Sequence, residues 1–79
     1  MQIAQIEQEL RTFLIEDLMK DELEGVAVSD ELNLDSLDTT ELRVFVEEKF
    51  SIDPAKLLAE KFDTLEHIIG QVAEHLKGS

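Results

Sequence analysis

Apolar residues Ile3, Ile6, Leu10, Phe13, Leu14 and Leu18 recur mostly at three- and four-residue steps, with no Gly or Pro between them. The chain therefore opens with an amphipathic helix running from near residue 2 to about residue 20. Over residues 21–34 the period lapses, and Gly25 with the apolar stretch that follows it suits a loop closing over the core. Val26, Val28 and Leu32 are its candidate plugs. Helical spacing returns with Leu42, Phe45, Val46 and Phe50, the core stripe of a second helix. Asp35 is its N-cap, Ser36 its first helical position, and Asp38 stands three residues past the cap, placed to reach back in a variant of the capping box. Leu37, Thr40, Glu41, Val44, Glu47 and Glu48 fall mainly on another side, acidic with apolar spots.

Asp53-Pro54 reads as a cap followed by a first-turn proline, so residues 55–60 are expected to form a short third helix carrying Leu57 and Leu58. Asp63-Thr64-Leu65-Glu66 has capping-box spacing and opens a last helix, with Leu65, Ile68, Ile69, Val72 and Leu76 toward the core and Gly78 as its stop. Gly70 weakens that helix by up to about 1 kcal/mol relative to Ala, which is tolerable. The pattern predicts an all-α fold, a small four-helix bundle with a long first loop and a short third helix, in one domain over residues 1–79.

Composition narrows the chemistry. A chain of 79 residues supports one small core and falls short of the usual enzyme size. It has no Cys, so it supplies neither a disulfide nor a thiol of its own. Seven basic residues against nineteen acidic ones give a net charge of −12, which repels phosphate backbones and anionic lipid and favours basic protein surfaces. Ten carboxylates crowd residues 16–41 against Lys20 alone. Such a run also reads simply as a solvated face. With neither a leader-like start nor an apolar run long enough to span a bilayer, the expected setting is the cytoplasm.

The chemical focus is Leu34-Asp35-Ser36-Leu37-Asp38, which sets a serine hydroxyl at the start of a helix inside this acidic tract. Asp35-Ser36-Leu37-Asp38, then Glu41-Leu42 and Glu47-Glu48-Lys49-Phe50, resembles the modification site and recognition helix of the acyl carrier proteins, the phosphopantetheine-bearing carriers. Phe62-Asp63-Thr64-Leu65 resembles the start of that family's last helix, so the likeness runs over essentially the whole chain.

The resemblance implies that Ser36 receives 4′-phosphopantetheine from coenzyme A through a phosphopantetheinyl transferase that uses magnesium. The arm's thiol then holds an acyl group as a thioester, which would give a Cys-free chain the thiol it lacks. A phosphodiester on Ser36 would sit at the positive end of the second helix, with Asp35 and Asp38 opposing part of that gain. By the same likeness Asp35, Leu37, Asp38, Glu41, Val44, Glu47 and Glu48 are candidates for partner docking. Leu42, Phe45, Val46, Phe62 and Ile68 are candidates for an acyl pocket, with ordinary core as the leading reading of each; for Leu37 core is the secondary reading beside docking. Implied partners are the transferase, an acyl-loading ligase or acyltransferase, and a ketosynthase or other biosynthetic enzyme with a basic patch. No nucleic acid, membrane or second copy is expected.

Departures from the family's commoner fatty-acid carriers bear on the cargo. Asn33 stands where Gly is frequent, and Asn tolerates a positive φ better than most residues. Arg43 stands where an apolar residue usually lies near the acyl pocket, the first loop is shorter, and residues 52–62 form a longer segment. A carrier for a polyketide, peptide or short-acyl pathway is thus as well supported as a fatty-acid one. Other chemistries fit poorly. His67 and His75 are eight residues apart, about 12 Å along a helix and too far to share a metal. A calcium loop at Asp30, Asn33 and Asp35 fails because Leu32 takes a ligand position and Asp35 the position needing Gly. Ser36 lacks the base and oxyanion hole of a hydrolase. The rival from another class is a helical adaptor whose acidic face binds a basic partner.

Overall fold

The described part of the computed structural model comprises residues 2–57 and 61–77. It holds three α-helices: α1 over Ile3–Thr12, α2 over Ser36–Lys49 and α3 over Leu65–Lys77. They pack as a compact all-α globule with a Cα radius of gyration of 11.5 Å, about the value a folded chain of this length has.

The first helix begins where expected but changes character before it ends. Its α-helical part stops at Thr12, and Phe13–Asp17 continues as a π-helical turn whose wider hydrogen bonds are seen in Leu18 N–H to Phe13 carbonyl at 3.1 Å. Met19 then turns into the left-handed region (φ 58), and the Lys20 amide closes the end on the Leu14 carbonyl at 2.9 Å. Despite the π turn, Ile6, Leu10, Leu14 and Leu18 all reach the core. Leu14 and Leu18, four residues apart, share a side in either helix type.

The expectation of four helices is corrected among the described residues, which show three helices and 3₁₀ turns. After α2 the chain makes a 3₁₀ turn over Pro54–Lys56, capped by Asp53, whose carboxylate accepts the Ala55 amide at 3.0 Å. Leu57 follows in an extended conformation, buried at 6% exposure. Residues 58–60 of the expected third helix, and Gly78 as the expected stop, lie outside the described residues. Another short 3₁₀ turn, Asp21–Leu23, carries Leu23 inward within the long first loop.

Two capping expectations also change. Thr64, rather than Asp63, caps α3: its Oγ1 accepts the His67 amide at 3.1 Å, one residue later than the sequence spacing suggested. Asp38 does not reach back to complete a capping box, because its carboxylate is taken by Lys20.

Three helices leave the core open on one side, and the irregular segments close it. Leu23 and Leu32 from the first loop, and Ile52, Leu57 and Phe62 from the α2–α3 connection, join Leu42, Val46, Leu65, Ile68 and Val72 in one cluster. Val26 and Val28 pack at its edge as expected. The loop is stitched to the start of α3 by Leu32 N–H to Asp63 carbonyl at 2.8 Å and Glu66 N–H to Val28 carbonyl at 2.9 Å. An isolated bridge between Glu31 and Thr64 marks the seam, with no strand among the described residues.

α1, the π turn and the residues that follow run antiparallel alongside α2. Lys49 meets Glu9 at 3.2 Å, Phe45 stacks on Phe13 with ring centroids 4.2 Å apart, and Asp38 meets Lys20 at 2.9 Å. Four residues forward from Glu9 match four residues backward from Lys49, and seven further match seven. The spacing is therefore one register, held at both ends and the middle.

α2 ends on Ser51, in the left-handed region at φ 54, with Ile52 N–H donating to the Glu47 carbonyl at 3.0 Å. This position normally favours Gly, and an L-residue there costs of order 1–2 kcal/mol. Ser51→Gly is expected to raise the unfolding free energy by about 0.5–1 kcal/mol after the larger chain entropy of Gly is counted. A chemical-denaturation midpoint that falls instead would contradict this account of the helix end.

Candidate functional site

The first turn of α2 is built around its cap. Asp35 stands in extended conformation (φ −79, ψ 178), and its Oδ1 accepts the Asp38 amide at 2.7 Å. Its carbonyl accepts both the Thr39 amide at 2.9 Å and the Thr39 hydroxyl at 2.8 Å. Asn33 precedes this turn at φ 54, so the residue in the family's frequent glycine position does adopt the left-handed conformation. With the backbone fixed on both sides, Ser36 becomes the first residue of the helix. Its side chain is exposed, and its hydroxyl has no hydrogen-bond partner among the described residues.

That setting fits a phosphodiester-linked arm. The hydroxyl is reachable, and the first-turn amides bias the site toward an anion. The opposing carboxylates are partly neutralised. Lys20 forms an ion pair with Asp38, and this contact, with the nearby charges of Glu22 and Asp35, holds the Lys20 ammonium above its ordinary value. The one cation of the acidic tract is thus placed at the turn that bears Ser36.

Of the docking candidates, Asp35, Leu37, Glu41, Val44 and Glu48 are exposed, while Asp38 and Glu47 are half-buried. Leu37 is 67% exposed and Val44 44%, so the reading of Leu37 as core is set aside. Leu37, Glu41, Val44 and Glu48 follow one another at helical steps and form a single outward face. Asp38, by contrast, is already engaged within the chain.

The acyl-pocket candidates separate. Leu42, Val46, Phe62 and Ile68 lie in the packed core, which matches their alternative reading as ordinary core residues. Phe45 instead is half-buried and lines a surface groove of about 510 Å³. Phe13, Leu18, Val44 and Phe45 supply the groove's apolar groups; Asp17, Glu41 and Glu48 its carboxylates; Thr40 completes it. Sequence reasoning did not find this groove, because Phe13 reads as one more core residue and Asp17 as one more solvated acid. Only the register of the π turn against α2 joins them. Arg43 lies elsewhere on α2, half-buried, its Nε buried without a hydrogen-bond partner among the described residues.

No group of His, Asp and Glu among the described residues is arranged to hold a metal ion. His67 instead pairs with Asp63 at 2.6 Å, a contact that lowers the Asp63 carboxyl from its ordinary value. No described helix is long and apolar enough to cross a membrane. Compared with known proteins, the chain matches no family model, and no solved structure matches it at a significant level. The resemblance to carrier proteins therefore rests on the residues themselves.

The cap is separable from the charge. Asp35→Ala is expected to cost about 1 kcal/mol through loss of the Asp38 amide's partner, whereas Asp35→Asn, an equally good cap, should stay within about 0.5 kcal/mol of the parent. Denaturation curves of the two variants decide; equal losses would contradict the capping role.

Proposed function

We propose that this protein is a phosphopantetheine-bearing carrier with Ser36 as its attachment residue. The observation that carries this reading is Ser36 itself, an exposed hydroxyl with no hydrogen-bond partner among the described residues, at the first position of a 14-residue helix whose cap is fixed by Asp35. The surrounding sequence, Asp35-Ser36-Leu37-Asp38, resembles the family's modification motif.

Ser36 Oγ accepts the phosphopantetheine group of coenzyme A and gives up its proton, while the nucleotide half of the coenzyme's diphosphate leaves. When attached, the group supplies a thiol for thioester chemistry, which a chain without Cys otherwise lacks. The chain's own residues position and present. Asp35 holds the turn, the exposed Leu37 and Val44 offer apolar contact, and Glu41 and Glu48 attract Lys or Arg on a visiting enzyme. Few apolar contacts ringed by acids favour fast, salt-sensitive encounter and ready release, which a carrier needs at every visit. The reaction belongs to the partners, and the carrier is no enzyme. Cargo from fatty-acid, polyketide or peptide pathways is compatible with the same residues.

The second reading, a helical adaptor with an acidic docking face, draws on the same exposed α2 surface but leaves Ser36 unmodified. Incubation with coenzyme A, magnesium and a broad-specificity phosphopantetheinyl transferase separates the two by intact mass. A gain of one phosphopantetheine, absent in Ser36→Ala, is expected. No gain with several transferases, or a gain that persists in Ser36→Ala, overturns the carrier reading.

A further inference from the structure

Residues 2–50 contain four basic side chains, and three of them are held: Arg11 by Glu7 at 2.8 Å, Lys20 by Asp38 at 2.9 Å and Lys49 by Glu9 at 3.2 Å. Arg43 is the fourth. It has no ion pair among the described residues, although the chain carries a net charge of −12. Its Nε is buried and lacks a hydrogen-bond partner there, while the side chain as a whole is half-buried. The outer guanidinium nitrogens are not sealed in this way, so the charged end is the part a solute can reach. A buried donor of a charged group is costly to leave without an acceptor, and folded proteins keep few of them.

Its place on α2 says what acceptor it suits. Arg43 comes seven residues after Ser36, which sets it about 10 Å further along the helix and only roughly 20° round the axis. Its Cα–Cβ bond leans toward the helix N-terminus, toward Ser36 and away from Glu47 one turn further on. Between Ser36 and Arg43 stand Thr39 and Thr40, small side chains whose hydroxyls already donate to the Asp35 and Ser36 carbonyls at 2.8 Å. On this flank α2 therefore offers one free cationic donor. Resting on the carrier reading, we infer that Arg43 selects the cargo and that the cargo is an acyl group ending in a carboxylate. The arm on Ser36 is longer than two helical turns, so it folds back along the flank and brings its acyl end to Arg43. The terminal carboxylate of a dicarboxylic half-thioester then accepts paired hydrogen bonds from the guanidinium. No bond forms or breaks; the contact orders the cargo. A hydrocarbon-ended group of the same length would lay methylenes against a charge and give it no acceptor.

The test loads the parent protein at Ser36 with a broad-specificity transferase and three forms of coenzyme A: the free thiol, a glutaryl form and a pentanoyl form. The last two carry an amide in place of the thioester, so that the cargo stays attached. Intact mass establishes loading, and NMR of the Arg43 Nε–H group reads the contact. In the glutaryl form that signal is expected to move and to exchange with solvent about tenfold more slowly, the equivalent of one charge-assisted hydrogen bond. The pentanoyl and free-thiol forms are expected to match each other. In Arg43→Gln the glutaryl carboxyl carbon should resonate where it does in free glutaryl coenzyme A. A glutaryl form whose Arg43 signal matches the pentanoyl form would overturn the inference, and so would a free-thiol form with the full shift, which assigns Arg43 to the arm's phosphodiester. The comparison of loaded forms needs no variant to fold. Absence of any mass gain overturns the carrier reading and this inference with it, whereas a mass gain without the cargo-dependent shift overturns this inference alone.

Discussion

A chain this short must bury enough apolar surface to stay folded while spending only three described helices on the task. Small domains bury about 60% of the surface their unfolded chains expose, which leaves little margin for an open side. The constraint is met by making irregular segments structural: Leu23, Leu32, Ile52, Leu57 and Phe62 close the core that the helices leave open. Non-helical backbone near a core must find its hydrogen bonds somewhere. Here the loop and the start of α3 satisfy each other through Leu32, Asp63, Glu66 and Val28. Loop and helix are therefore interdependent, and the seam fixes how the chain approaches Asn33 and the cap beyond it.

That arrangement frees one face of α2. Leu42, Val46 and Phe50 face the core, so Leu37, Glu41, Val44 and Glu48 are left to solvent. The weak separation of polar and apolar residues along α2, compared with α1 and α3, reflects these exposed apolar positions. A helix that served only packing would place polar residues there. The packing of the π turn and Leu18 beside α2 then sets a groove along the side of α2 that carries Glu41, Val44 and Glu48.

Much of this was legible in the sequence. The buried sets Ile6, Leu10, Leu14, Leu18 and Leu65, Ile68, Ile69, Val72 repeat at helical spacing, and local chemistry marks Asp35 and Asp53 as caps. Asn33 was readable as a positive-φ position from the family's habit. What escaped was of two kinds. Left-handed Met19 and Ser51 carry no glycine to announce them, and the π turn at Phe13–Asp17 leaves the hydrophobic spacing almost unchanged. The pairs Lys20–Asp38 and Phe13–Phe45 join residues far apart in the chain, and no local pattern encodes them. For that reason Asp38 read as a free docking acid and Phe45 as core, whereas one is engaged and the other lines the groove.

The central claim is that Ser36, and no other residue, carries the working group of this protein. Peptide-level mass spectrometry of the protein isolated from its native cell tests it most directly. A phosphopantetheine, free or acylated, is predicted on the peptide containing Ser36 and on no other. An unmodified Ser36 in every copy, or the group found on Ser29 or Ser51, would contradict it.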